Sequence, residues 1–241
     1  MNQHLMKSIS IASLNLHHFV NWQERYTKIV TLFKENNPDI ILTQETQLDP
    51  QFENRNQIEL LNDHLLYPYI NFSPAETRTR QKGEELKFPI EHGLGILSKY
   101  PINNVEILHL KQEDESKENR IAVTYSIRID NEDYRITNVH FTNNDDGSLM
   151  QFKQVIDVST PETILTGDFN IHGFNFEKNR SVYEPKYISS YDFKKYISFP
   201  EENATFDYVL IPNTFQFRNV TSMEEIVSDH RMLLVEIVKK K

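Results

Sequence analysis

With 241 residues, 38% of them hydrophobic and 25% charged, the chain has the balance of a globular protein and the length of one large domain, residues 1–241. It contains no cysteine, so disulfides, thiolate metal sites and cysteine nucleophiles are excluded, and any metal must sit on oxygen or imidazole ligands. The net charge of −9 disfavours nucleic acid as a partner, although a local basic cleft stays compatible with it.

Met1–Ser10 carries His4 and Lys7 and lacks the apolar stretch of a signal peptide, and no later segment has the length of a membrane span. The expectation is a soluble, cytoplasmic protein of undetermined oligomeric state. Ile9, Ile11 and Ser13 alternate in a strand that ends at Asn15. Trp22, Tyr26, Ile29, Val30 and Phe33 recur at helical spacing, and Asn36-Asn37-Pro38 supplies the stop. The apolar run from Asp39 to Thr43 then breaks off at Gln44-Glu45, as a buried strand does where it opens onto a site. A second helix follows through Ile58, Leu61 and Leu65. Residues 67–89 show no clean period and read as a long loop carrying Arg78, Arg80 and Lys82.

Strands resume at Gly93–Ser98 and at Val105–Leu110 after a Tyr100-Pro101 turn, and Lys111–Asn119 reads as a solvated hairpin loop. Two strands, Arg120–Ile129 and Tyr134–Phe141, flank the turn Asp130–Asp133. A helix through Leu149, Phe152, Val155 and Ile156 precedes the buried strand Thr163–Thr166. Phe174–Phe199 interleaves aromatic and basic residues without a repeat. The chain closes with strands near Tyr208–Ile211, Phe215–Val220 and Met232–Val238 and a lysine tail.

Polar groups stand at or just beyond the ends of five of these strands: Asn15, Gln44-Glu45, Asn138-Val139-His140, Gly167-Asp168-Phe169-Asn170 and Ser228-Asp229-His230. In open α/β folds such ends converge on one crevice although they lie far apart in sequence. Oxygen-rich ligands of this kind suit Mg²⁺ or Mn²⁺. Taken singly, each feature has a blander explanation: a solvated strand-end carboxylate for Glu45, a structural histidine for His140, an Asx turn for Asp168–Asn170, and a cap or ion pair for Asp207. Their ordered recurrence is what favours a site.

In this order, and with Gly93–Ser98, Arg120 and Phe206-Asp207-Tyr208, the chain resembles the endonuclease/exonuclease/phosphatase superfamily over nearly its whole length. That superfamily includes pancreatic deoxyribonuclease, abasic-site endonucleases, inositol polyphosphate 5-phosphatases and neutral sphingomyelinases. The resemblance implies an α/β fold, a four-layer sandwich of two packed mixed β-sheets flanked by helices. It also implies a metal shell of Glu45, Asn15 and Asp229 around Mg²⁺, with Mn²⁺ as the substitute. Asp168 would deprotonate the attacking water, Asn170 would position it or a phosphoryl oxygen, and His140 and His230 would stabilise phosphoryl charge, with Asp207 orienting His230. Arg120 reads either as a substrate-binding residue or as half of an interstrand ion pair.

Met232 stands where the family often has proline, no proline closely follows Asn170, and His140 replaces the tyrosine of abasic-site endonucleases. No catalytic functional group is lost by these departures. The expected function is metal-dependent hydrolysis of a phosphate ester, foremost a phosphodiester. The alternatives are a deoxyribonuclease-like endonuclease and a non-catalytic phosphate- or metal-binding module.

Overall fold

The computed structural model describes residues 8–81, 84–112, 118–130 and 132–240. Among them, β1 (Ile9–Asn15), α1 (Trp22–Asn36), β2 (Ile40–Asp49), β3 (Arg55–Asn56), α2 (Gln57–Leu65), β4 (Tyr69–Gln81) and β5 (Glu84–Ser98) form the first half. There follow β6 (Ile102–His109), β7 (Ile121–Ile129), β8 (Glu132–His140), α3 (Asp145–Val158), β9 (Thr163–Asp168), α4 (Gly173–Lys178), β10 (Tyr187–Ser189), α5 (Ser190–Phe193), β11 (Asp207–Pro212), β12 (Phe215–Ser222) and β13 (Leu233–Lys239).

The helix boundaries follow from local chemistry. α1 stops where Asn37 turns left-handed and returns its backbone N–H to Phe33 O, with Pro38 barring continuation. α2 starts in a reciprocal capping box between Asn56 and Glu59. At α3, Asn144 accepts a hydrogen bond from Gly147 N, and Asp145 and Asp146 lie favourably at the positive end of the helix dipole.

The strands form two mixed sheets. One runs β12-β13-β1-β2-β5-β4, with β3 beside β2, and the other runs β10-β11-β9-β8-β7-β6. Each contains one parallel pair spanned by a helix, β1 with β2 through α1 and β8 with β9 through α3. Each also sets an antiparallel strand on the far side of that pair, β13 against β1 and β11 against β9.

Both faces of the central strands are covered, which is why they read as near-continuous apolar runs. Ile9, Ile11, Ile40 and Leu42 meet Val123, Tyr125, Ile164, Val209 and Ile211 between the sheets. The alternate residues Ala12, Leu14 and Ile41 pack under α1 and α2 through Ile29, Phe33, Ile58 and Leu61. On the opposite outer face, Val139, Leu165 and Leu210 pack beneath Phe152, Val155, Ile156 and Phe176. The result is the expected α/β/β/α order of layers. Among the described residues, no helix is long and apolar enough to cross a membrane.

One expectation is corrected. Residues 67–89 are not a loop but most of the β4–β5 hairpin. Register shifts between Pro74 and Glu76 and between Arg78 and Arg80 break the alternation that would have marked β4, and β5 stays mostly exposed until Ile90. Lys82, the centre of the Lys111–Asn119 loop, Asn131 of the Asp130–Asp133 turn, Met1–Lys7 and Lys241 lie outside the described residues. Phe174–Phe199, read as irregular, contains α4, β10 and α5.

Candidate active site

The topology brings the polar strand ends together. β1 and β2 are parallel and finish at the same end of their sheet, and β13, antiparallel to β1, starts there just after Ser228-Asp229-His230. In the other sheet β8 and β9 finish side by side with His140 paired to Asp168, and antiparallel β11 starts with Asp207 opposite Asp168. A buried amide bridge ties the two ends across the sandwich: Gln44 Nε2 donates to Asn138 Oδ1 at 2.7 Å, and Asn138 Nδ2 donates to Thr43 O at 3.0 Å.

Two backbone features sharpen the site. Glu45 sits in a bulge of β2 with φ 51, and Asn170 has φ 50. Left-handed backbone at non-glycine residues is tolerated where the surroundings hold it, and it re-aims the side chain out of the ladder. Gly167 has φ +136, and a Cβ there would lie 2.1 Å from Val139 O. The Gly167→Ala variant is therefore expected to lose on the order of 1–3 kcal/mol of stability, read as a lower urea midpoint, and an unchanged midpoint would contradict this account of the β8–β9 approach.

The side chains line a cleft of about 750 Å³ that includes His18, Glu45, Arg120, His140, Asp168, Asn170, Asp229 and His230. Asp168, 1% exposed, is its centre. Its Oδ2 accepts from Asn15 Nδ2 at 3.1 Å and lies 3.6 Å from both His140 Nε2 and His230 Nε2. Its Oδ1 accepts from the backbone N–H of Asn170 at 2.9 Å. Burial pushes the Asp168 carboxyl up to about 7, with His230 opposing and Asp207 adding to the rise.

His230 Nδ1 faces Asp207 Oδ2 at 2.8 Å. Burial alone would lower this imidazole, but the charges of Asp207 and Asp168 prevail and raise it to about 10, so it is cationic at neutral pH. His140 is the opposite case. Burial and the neighbouring Arg120 cation hold it well below the ordinary histidine value despite the pull of Glu45. Arg120 NH1 lies 2.7 Å from His140 Nδ1, and a guanidinium can only donate, so the neutral imidazole carries its hydrogen on Nε2 and turns it toward the cleft.

Glu45 Oε1 lies 3.8 Å from His140 Nε2, and its Oε2 lies 2.9 Å from His18 Nε2. Burial would raise the Glu45 carboxyl, but the His18 hydrogen bond and the surrounding imidazoles hold it well below the usual carboxylate range. Asp229 is anchored by His230 N at 3.0 Å and Ser228 Oγ at 2.9 Å on Oδ1, and its Oδ2 lies 3.5 Å from His17 Nδ1. Asn15 Oδ1 accepts from His17 N at 2.9 Å, so this amide both orients Asp168 and braces the turn after β1.

All nine residues anticipated from the sequence stand at this end of the sandwich. Asn15, Glu45, His140, Asp168, Asn170, Asp207, Asp229 and His230 form the linked groups just described. Arg120 lines the cleft, but its guanidinium is engaged by His140 and, at 2.8 Å, by Glu118. Sequence reasoning missed His18 and His92, whose rings lie 4.9 Å apart behind Glu45. The His17-His18 pair directly after a polar strand end was the available signal. His92 had none, since it arrives through the β2–β5 pairing opposite Gln47.

The donor set fits a divalent cation. The Glu45 carboxylate is held ionised and faces the cleft with imidazoles as its polar neighbours. Asp168, Asp207 and His230 also bring three ligand atoms within 4.8 Å of one another. There, however, Asp207 and His230 satisfy each other through a hydrogen bond, whereas Glu45 is engaged by His18 at Oε2 alone and its Oε1 stands 3.8 Å from His140 Nε2, beyond hydrogen-bond distance.

A two-sheet α/β sandwich with carboxylates and imidazoles gathered at one end of its strands defines the class of protein. The chain belongs to the Endonuclease/Exonuclease/phosphatase family, whose sequence profile matches residues 12–230 and whose members are hydrolases of phosphoester bonds. Solved structures share the fold. An endonuclease/exonuclease/phosphatase from Beutenbergia cavernae DSM 12333 aligns with a TM-score of 0.80 at 15% identity over 97% of this chain and 72% of that one. The human Nocturnin catalytic domain with bound sulfate gives 0.75 at 16% identity, covering 98% and 96%. The mannosyl-6-phosphatase Bt3783 of Bacteroides thetaiotaomicron VPI-5482 gives 0.69 at 16% identity, covering 95% and 99%. No curated sequence relative matches the chain.

Proposed function

We propose that the chain, acting as one domain, is a divalent-cation-dependent phosphoesterase whose foremost substrates are phosphodiesters. The observation that carries this reading is the convergence of Glu45, Asp168, His140 and His230 on one cleft, each in a different electrostatic state. Glu45 would hold the cation, with Asp229 and Asn15 supporting the shell. Bound there, an ion of the Mg²⁺ or Mn²⁺ type supplies a Lewis acid for a phosphoryl oxygen.

The protein's own groups divide the remaining work. Asp168, with a proton affinity matched to neutral pH, takes a proton from the attacking water. The water oxygen bonds to phosphorus, the ester P–O bond opposite it breaks, and the leaving oxygen is protonated from solvent. His230 as imidazolium and His140 through its Nε2–H donate to the phosphoryl oxygens as their charge grows. Asn170 places the water or a phosphoryl oxygen, Asp207 keeps His230 charged, and Arg120 orients His140. The tetrahedral sulfate on the human Nocturnin domain and the phosphatase activity named for Bt3783 support a phosphoryl group as the ligand. Five carboxylates at the cleft, Glu45, Glu118, Asp168, Glu202 and Asp229, make a long polyanion a poor partner, which favours compact esters over nucleic acid.

The test is a panel of DNA, RNA, sphingomyelin, inositol phosphates and a generic aryl phosphodiester, each with and without Mg²⁺ or Mn²⁺. Cation-dependent, chelator-sensitive hydrolysis of at least one class is expected, and inertness toward all of them contradicts the reading.

The charge states give a pH prediction. His230 has a folded value raised above its ordinary 6.5, so the stability from its pairing with Asp207 is fully present below 6.5 and lost as pH rises through about 10. Activity that needs the imidazolium should fall over the same alkaline limb. Asp207→Asn removes the strongest influence raising His230 and should move that limb to lower pH in the kcat/KM profile. A limb that stays in place would remove Asp207 from the mechanism.

A further inference from the structure

His18 is built into the site with more care than a bystander histidine needs. It follows His17 in a left-handed turn, φ 48 and 49, immediately after β1. That turn is clamped by Arg25, whose guanidinium donates to five backbone carbonyls: Leu16 at 2.9 Å, His17 at 3.3 Å, His18 at 3.0 Å, Val20 at 2.6 Å and Val227 at 3.1 Å. Val227 leads into Ser228-Asp229-His230, so one cation locks the β1 turn to the segment that carries Asp229. Gln57 Nε2 also donates to His18 O at 2.6 Å. The clamp uses main-chain atoms and leaves the imidazole free to face Glu45.

Within the described residues that imidazole has Glu45 as its one polar partner, because its Nδ1 is buried without a hydrogen bond. The Nε2–Oε2 separation of 2.9 Å is also the spacing of neighbouring ligands on an octahedral ion with bonds of about 2.0–2.2 Å, for which the edge is about 3 Å. His92 packs against it at 4.9 Å between ring centroids and is held by Arg78 NH2 at 3.3 Å.

We propose that His18 Nε2 is a ligand of the same cation as Glu45, making this a mixed carboxylate–imidazole site that selects Mn²⁺, Fe²⁺, Co²⁺ or Zn²⁺ over Mg²⁺. Imidazole suits the borderline ions Fe²⁺, Co²⁺ and Zn²⁺, and the harder Mn²⁺ accepts it more readily than Mg²⁺, which keeps to oxygen and water. The proposal rests on the reading of Glu45 as a cation ligand, and it goes beyond the oxygen shell of Glu45, Asn15 and Asp229 inferred from sequence.

Electron spin-echo envelope modulation on the full chain loaded with Mn²⁺ tests it without recourse to turnover. A modulation from directly bound ¹⁴N is expected. It should vanish in His18→Gln, persist in His140→Gln, and be accompanied in His18→Gln by a loss of about 10-fold or more in the preference for Mn²⁺ over Mg²⁺, measured by calorimetric titration. Mn²⁺ bound to the wild-type protein without nitrogen modulation overturns the proposal and leaves the phosphoesterase reading standing, with His18 reduced to an ion-pair partner of Glu45. Nitrogen modulation that survives in His18→Gln also overturns it. Failure of the wild-type protein to bind Mn²⁺ or Mg²⁺ at all removes the cation reading and this proposal together.

Discussion

Asp168→Asn is expected to lower kcat by about 10²–10⁴-fold, the range for removing a general acid–base group, while leaving KM within a few-fold. The substitution keeps an oxygen to accept from the Asn170 backbone N–H, so the turn after β9 is preserved, while an amide NH2 replaces the oxygen that accepts from Asn15 Nδ2. What disappears is the carboxylate whose burial pushes it up to about 7 and fits it to take a proton from water near neutrality. Because Glu45 is untouched, the thermal stabilisation on adding Mg²⁺ or Mn²⁺ should remain. Kinetics on the responding ester together with a melting curve checks both halves. Wild-type turnover in this variant would take the base from Asp168.

Glu45→Gln should give the complementary pattern. Loss of its negative charge is expected to lower kcat/KM by about 10²–10³-fold, the effect of deleting one electrostatic element of a preorganised site. Unlike Asp168→Asn, it should also abolish the melting-temperature rise with divalent cation, since that rise reports binding to the native state. A variant that keeps the full cation-induced rise would place the ion elsewhere, with the Asp168, Asp207 and His230 group as the next candidate. The two variants together separate holding the cation from moving the proton.

Much of this arrangement was legible because its signals are local. The apolar runs that stop abruptly at Gln44-Glu45 and Gly167-Asp168 mark central strands covered on both faces, and the site residues follow where each run ends. The helices through Phe33 and Phe152 were equally plain, because each buries one stripe beneath a cap or a stop. The β4–β5 hairpin was lost because two register shifts and an exposed, charged outer half erase the period-2 pattern. The roles of Arg120 and His92 depend on partners from other strands. Arg120 precedes β7 and reaches His140 only through the β7–β8 pairing, and His92 reaches His18 only through β2–β5. The opposed charge states of His140 and His230 are likewise set by neighbours distant in sequence, Arg120 for one and Asp207 for the other.

Anomalous diffraction from crystals of the full chain soaked in Mn²⁺ interrogates the centre of this account. The predicted result is a peak at coordinating distance from the Glu45 carboxylate, inside the cleft shared with Asp168, His140 and His230. A soaked crystal with no peak beside Glu45, or with Mn²⁺ bound only at other carboxylates, would contradict it.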